Sequence, residues 1–252
     1  MARRVLDHQH MDPITAGAAG GLRVRMEALD MLANNISNAA TAGYKKDGEF
    51  YSLFEDAESV AWGSGTSAMP LVEKAWTDHA QGTLTETGAK TDLALSGRGV
   101  FAVNGPSGPL YTRNGNFRVD GAGKVVTQEG YGLRLAGGAS LQVGPGAFDV
   151  APDGTVRQGE TVLGRLEILN FEPDALIKQG TSLFRTADAN TAGTPATAEV
   201  AQGKLEGSNV STAESAVRMV SLMRQFEALQ KAIAIGADMN RKAVEEVARV
   251  GS

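Results

Sequence analysis

Residues 211–250 read STAESAVRMVSLMRQFEALQKAIAIGADMNRKAVEEVARV, and this stretch decides the fold. Met219, Leu222, Phe226, Leu229 and Ile233, continued by Gly236 and Asn240, are separated by alternating steps of three and four. That spacing puts them on one face of a helix, close to a heptad seam. Ser211 with Glu214 three residues later forms a capping-box pattern, and Ser208 is a second capping candidate. No proline interrupts the run. About 35–40 helical residues would extend about 50–60 Å at 1.5 Å per residue. Such length suggests a coiled coil or a packed array. Val217, Val220 and Met223 add a second apolar strip, and a helix apolar on two sides needs neighbours on two sides.

The other end of the chain reads the same way. Asp12-Pro13 is a helix start: Asp supplies an N-cap oxygen, and Pro fits the first helical position. Apolar residues then recur at Ile14, Ala18, Leu22, Met26, Leu29, Ala33 and Ile36, while Arg23, Arg25, Glu27 and Asp30 fall largely off the stripe. Thr41-Ala-Gly43 reads as the stop, with Gly43 as a left-handed cap. Asn34, Asn35 and Asn38 read as local caps, since Asn side chains bond nearby backbone groups.

Between these ends the pattern changes. Short alternating runs such as Val100–Asn104, Leu110–Arg113, Lys124–Thr127 and Arg165–Phe171 sit between Asn104-Gly105, Asn114-Gly115, Asp120-Gly121, Glu129-Gly130 and Asp153-Gly154. Asn-Gly and Asp-Gly supply the positive φ of tight hairpin turns, so an antiparallel β domain is expected. Residues 44–90 show no clear period, and Trp62-Gly-Ser-Gly-Thr-Ser67 reads as an extended connection. The fold class is therefore α+β. The expected division is a flexible extension over 1–11, an N-terminal helix over 12–44, an extended connection over 45–90, a central β domain over 91–204 and a C-terminal helix over 205–252. The two helices would pair as a coiled-coil-like stalk. Its packing positions would be Leu22, Met26, Leu29, Ile36, Met219, Leu222, Phe226, Leu229 and Ile233.

Composition narrows the chemistry. The 252 residues contain no cysteine, which excludes disulfides, thiolate metal sites and a catalytic thiol. A net charge of -5 is ill suited to general nucleic-acid binding, which needs a basic surface. Met1–His10 has a basic pair but no apolar core, so it does not read as a secretory signal. No window approaches the roughly 18 apolar residues of a membrane span. His8, His10 and His79 show no triad or HExxH spacing. Asp120–Lys124 lacks the spacing of a phosphate or calcium loop, and Gly97-Arg-Gly99 lacks the third glycine of a dinucleotide site. Asn35-Ile-Ser37 and Asn209-Val-Ser211 are chance-level glycosylation sequons. Lys45-Lys46, Arg241-Lys242 and Glu245-Glu246 read as solvated faces. No catalytic residue, cofactor, metal or small-molecule substrate is expected.

Three blocks carry a family resemblance. Leu32-Ala-Asn-Asn-Ile-Ser-Asn-Ala-Ala-Thr-Ala-Gly-Tyr-Lys45 resembles the N-terminal signature of flagellar basal-body rod and hook proteins, through Ala33, Asn34, Asn35, Asn38, Thr41, Gly43 and Tyr44. Gly97-Arg-Gly-Val-Phe101, Tyr111-Thr-Arg-Asn-Gly-Asn-Phe117 and Asp120–Thr127 resemble the family's central block. Leu205-Glu-Gly-Ser-Asn-Val210 resembles its C-terminal block, through Glu206, Ser208, Asn209 and Val210. The resemblance implies a structural subunit of the flagellar rod that polymerises helically, transmits torque and encloses the export channel. It implies copies of itself and other rod subunits as partners, together with the flagellar type III export apparatus. It also implies a periplasmic rod location reached without a cleaved signal. Size and the C-terminal block are most similar to proximal-rod members. Distal-rod or hook-type members are the alternative, and a β-domain binding protein or enzyme with helical arms is the reading from another class. Against the family's usual start, residues 1–10 are read as an upstream translation or a lineage-specific extension.

Overall fold

A computed structural model describes residues 13–54, 69–188 and 191–250. His8, His10, the Asp12 cap, the 1–11 extension and Trp62–Ser67 lie outside the described residues. Helix α1 spans Pro13–Ser37 and helix α2 spans Thr212–Val250. Between them come β1 (Asp47–Phe54), β2 (Met69–Thr77), β3 (Leu84–Glu86), β4 (Leu93–Ser96), β5 (Val100–Gly105) and β6 (Gly108–Thr112). Short strands follow: β7 (Arg118–Val119), β8 (Val125–Val126), β9 (Gly132–Leu133) and β10 (Asp149–Val150). The remainder are β11 (Thr155–Gln158), β12 (Thr161–Arg165), β13 (Ile168–Asn170), β14 (Leu176–Gln179), β15 (Leu183–Thr186), β16 (Thr194–Pro195), β17 (Glu199–Gln202) and β18 (Lys204–Glu206). Among the described residues the fold is α+β, with two α-helices and a mainly antiparallel β-rich part. Residues 45–90, which show no period in sequence, contain β1, β2 and β3.

The chain divides into two compact units. One gathers the helical segments, up to Ala33 and from Ala213, together with Glu49–Ala75. The other comprises Asn34–Gly48 and Trp76–Thr212.

In the β-rich unit, β5 and β6 form a hairpin with Phe101 opposite Thr112 and Gly105 opposite Gly108. Pro106-Ser107 therefore make the turn, not Asn104-Gly105. Alternate residues of β5 serve two cores because successive side chains point to opposite faces. Phe101 and Val103 join the larger cluster with Leu93, Leu95, Phe117, Leu133 and Val156. Val100 and Ala102 join Tyr111 and Phe184 in a smaller one. The unit is closed by its late strands: β17 pairs with β4, Leu95 opposite Val200, and β18 pairs with β3, Leu84 opposite Glu206.

Gly115 does not take positive φ. Its role is close approach, since a Cβ there would stand 1.5 Å from the carbonyl oxygen of Leu93. Of the five expected turn glycines, only Gly130 and Gly154 adopt positive φ.

In the helical unit, α1 buries Gly21, Val24, Ala28 and Leu32. That line runs beside the expected stripe: Leu22 and Leu29 are half-buried, and Met26 is 54% exposed. Ile36, beyond the unit's boundary, is half-buried as well. The side chains of Ile14 and Ala18 fall outside the described residues. On α2, Met219, Leu222, Phe226, Leu229, Ile233 and Gly236 are half-buried, while their neighbours along the helix are mostly exposed. Arg25 donates to Gln225 Oε1 at 3.3 Å. A Cβ on Gly21 would stand 3.4 Å from Leu229 Cδ1. Four residues forward on α1 match four residues back on α2, so these contacts run antiparallel.

Candidate functional site

Four stretches distant in sequence converge in the β-rich unit on a buried polar knot: 34–47, 76–82, 113–114 and 206–209. Glu206 is its hub, 1% exposed at the end of β18. Its Oε1 accepts from Lys45 Nζ at 2.5 Å and from the Gly82 amide at 2.9 Å. Its Oε2 accepts from Arg113 at 2.9 Å, and its carbonyl accepts from the Gly43 amide at 2.7 Å. Lys45 also donates to the Ala80 carbonyl at 2.6 Å. Arg113 also donates to the carbonyls of Leu95 and Gly97. The expectation that Lys45 and Lys46 form a solvated face fails at Lys45, which is fully buried. A buried ion costs several kcal/mol unless paired, so the three charges are tolerable only together.

Asn209 ties the same place from the C-terminal side. It accepts from the Lys46 amide at 2.7 Å and donates to the carbonyls of Asp78 and Ala80. Ser208 Oγ accepts from the Val210 amide at 3.2 Å, and both residues are half-buried.

The N-terminal motif splits into two roles. Asn38 donates to the Asn34 carbonyl and accepts from Thr41, which is local capping. Asn35 is buried and acts at a distance: its Nδ2 donates to the Asp47 carbonyl and its Oδ1 accepts from the Asp47 amide. It imitates a strand partner for β1. The Tyr44 hydroxyl donates to Asn34 Oδ1 at 3.0 Å and Asn35 Oδ1 at 2.9 Å. Ala33 and Asn34 are exposed. Gly43 does not cap α1, which ends at Ser37. At φ +66° it brings the backbone so close to Asn114 that a Cβ would stand 2.2 Å from that amide nitrogen.

Burial dominates the electrostatics. It pushes the Tyr44 hydroxyl up to about 12, helped by the Asp47 carboxylate. It lowers Lys45, against the pull of Glu206, and lowers Lys178, against the pull of Asp47. Lys178 Nζ pairs with Asp47 at 2.7 Å and lies 4.0 Å from the centre of the Tyr44 ring. The His79 ring packs on Phe184 with centroids 5.2 Å apart. Burial, then the charges of Lys45 and Arg113, lower the His79 pKa and favour its neutral form. Among the described residues, no group of three or more His, Asp or Glu could hold a metal ion.

Sequence reasoning singled out Glu206, Asn35 and Tyr44, but not Lys45 and Arg113, which pair with Glu206, nor Asp47 and Lys178, which meet Asn35 and the Tyr44 ring. A signal was present for two of them. Lys45 ends the N-terminal block, and Arg113 lies inside Tyr111–Phe117.

The β-rich unit is thus fixed by structural charge pairs, in a chain with a long helix on either side of it in sequence. Residues 18–45 match the flagella basal body rod protein family, 94–158 the flagellar hook protein FlgE/F/G D1 domain, and 201–246 the flagellar basal body rod FlgEFG protein C-terminal family. The chain is 34% identical to the flagellar basal-body rod protein FlgF of Caulobacter vibrioides, over 93% of this chain and 97% of that one. It is 32% identical to FlgF of Mesorhizobium japonicum, covering 79% and 83%. It is 30% identical to FlgG of Bacillus subtilis, covering 84% and 90%. The chain belongs to the flagellar basal-body rod family and is of the proximal-rod type. It is a structural rod subunit, which places it in the flagellum with other rod subunits as partners. Among the described residues, no helix is long and apolar enough to cross a membrane.

Proposed function

We propose that the chain polymerises helically through its terminal helices, paired as a coiled-coil-like stalk, and so encloses the export channel and transmits torque. Copies of itself and neighbouring rod proteins are the partners. Delivery is by the flagellar type III apparatus, without a cleaved signal, into the periplasmic rod. The functional division is a stalk over the helices α1 and α2, and a β-rich domain over 34–48 and 76–212. The motif residues Asn34, Asn35, Asn38, Thr41, Gly43, Tyr44, Glu206, Ser208, Asn209 and Val210 shape the first and last segments of that β-rich domain. Leu22, Leu29, Ile36, Met219, Leu222, Phe226, Leu229 and Ile233 pack the helices.

One observation carries this reading. The half-buried row of α2 already faces one side, yet Val217 is 73% exposed, Val220 51%, Ile235 61% and Met239 65%. At 100° per residue these four lie on roughly the opposite face. An apolar row left in water on a helix is a contact surface for other subunits. The test is limited proteolysis of monomer and of isolated hook–basal bodies. Both termini should be cut in the monomer and protected in the rod. Absence of the chain from purified basal bodies, or equal cutting in both states, would overturn the proposal.

A further inference from the structure

The β-rich unit carries unneutralised positive charge on one side. Within its knot, two cations, Lys45 and Arg113, share the carboxylate of Glu206. Beside the knot opens a cleft of roughly 500 Å³, lined in part by Trp76, His79, Gln81, Gly97, Arg98 and Arg113. Arg98 is exposed on its wall and makes no hydrogen bond or ion pair with the described residues. Asp78 also lines the cleft, but its carboxylate accepts from the Ala80 amide at 2.9 Å and pairs with Lys46 at 3.4 Å. Gln81 is held too, bonding the Leu95 carbonyl and the Gly97 amide. That leaves one uncommitted guanidinium beside a surplus buried positive charge, with the 37%-exposed ring of Trp76 in the same lining.

A guanidinium prefers a planar carboxylate, which it binds through two parallel N–H donors. An aromatic ring beside such a pair excludes water and strengthens it. The chain as a whole is acidic, at -5, so another copy offers the complementary charge. We propose that this cleft receives the carboxylate of an Asp or Glu side chain from a second copy of the chain, so that the β-rich units share in subunit contact. The inference rests on the assembly proposed above. Cleft and donated carboxylate are different surfaces, so the contact is head-to-tail and propagates instead of closing a dimer.

The experiment uses the full chain. Arg98→Lys puts a primary amine in the cleft, and a carbodiimide joins an amine to a carboxylate in direct contact with it. Assembly is followed by sedimentation, and cross-linked peptides are mapped by mass spectrometry. The expected result is an intermolecular cross-link between position 98 and one Asp or Glu. Arg98→Glu should raise the concentration for half-assembly about tenfold, as loss of one charge-assisted contact requires, while circular dichroism of the monomer stays unchanged. Salt should weaken wild-type assembly and leave the Arg98→Glu variant less affected. If the wild type assembles but position 98 yields no cross-link and Arg98→Glu assembles equally well, the cleft is not a contact and the helical assembly stands. If the wild type does not assemble at any concentration, the contact between copies proposed for this cleft falls, while the assembly proposed above is judged by the basal-body experiment.

Discussion

The β-rich unit and helix α2 solve the problem of apolar surface in opposite ways. Leu93, Leu95, Phe101, Leu133 and Phe184 are fully buried within one chain. Among the described residues of α2, Ser215 alone is buried, and the large apolar side chains are at best half-covered. The first region contains its own stability. The second has a strong pattern and too few neighbours. Substitutions in the knot should therefore act on folding, and substitutions on α2 on assembly.

The largest expected effect is at the hub. Glu206→Ala leaves Lys45 and Arg113 buried with no carboxylate, and urea denaturation should show a loss of about 3–5 kcal/mol. A loss below about 1 kcal/mol would mean that water enters the knot, and the contrast between the two regions would weaken. Gly43→Ala should cost about 2–3 kcal/mol, because the left-handed backbone and the contact with Asn114 both resist a Cβ. Wild-type stability after this change would mean that the 43–114 approach is loose in solution.

Tyr44→Phe removes a hydroxyl with two acceptors and should cost about 1 kcal/mol at neutral pH. The hydroxyl's folded pKa, about 12, is raised above its unfolded value near 10. The folded state therefore binds more protons between these values, and the contribution is full below about pH 10. It falls by up to about 1.4 kcal/mol per unit between about 10 and about 12. Since that fall exceeds the starting gap, the stability difference between wild type and Tyr44→Phe should close and then change sign over that window; a constant gap would place the hydroxyl in water. The smallest effect is on the helix. Ile235→Lys should change monomer stability by no more than about 0.5 kcal/mol, yet reduce incorporation into basal bodies. A substantial loss of monomer stability would show that this face is covered within one chain.

The helices were legible because a stripe such as Met219, Leu222, Phe226, Leu229, Ile233 is a local property of 3.6-residue periodicity. The antiparallel β part was legible from alternation and glycine spacing. The turn chemistry was less so: Pro106-Ser107 turns where Asn104-Gly105 was expected, and Gly115 serves close packing instead of positive φ. The phase of α1 was misread because Gly21, Val24 and Ala28 are small or modestly apolar, and Met26 is large but faces outward. Burial selects residues that fit a close neighbour, and a neighbour 200 positions away is invisible to a local pattern.

Lys45 shows the same limit more sharply. Beside Lys46 in sequence it looks like solvated charge, and only the fold places Glu206 at 2.5 Å and Arg113 on the same carboxylate. The sequence by itself determined two long helices, a β centre, the absence of thiol chemistry and the family. The tertiary structure alone decided which charges are buried, which apolar rows stay uncovered and that Asn35 pairs with the backbone of Asp47. Periodicity and composition act through neighbours along the chain. A buried charge survives only through partners brought from elsewhere in it.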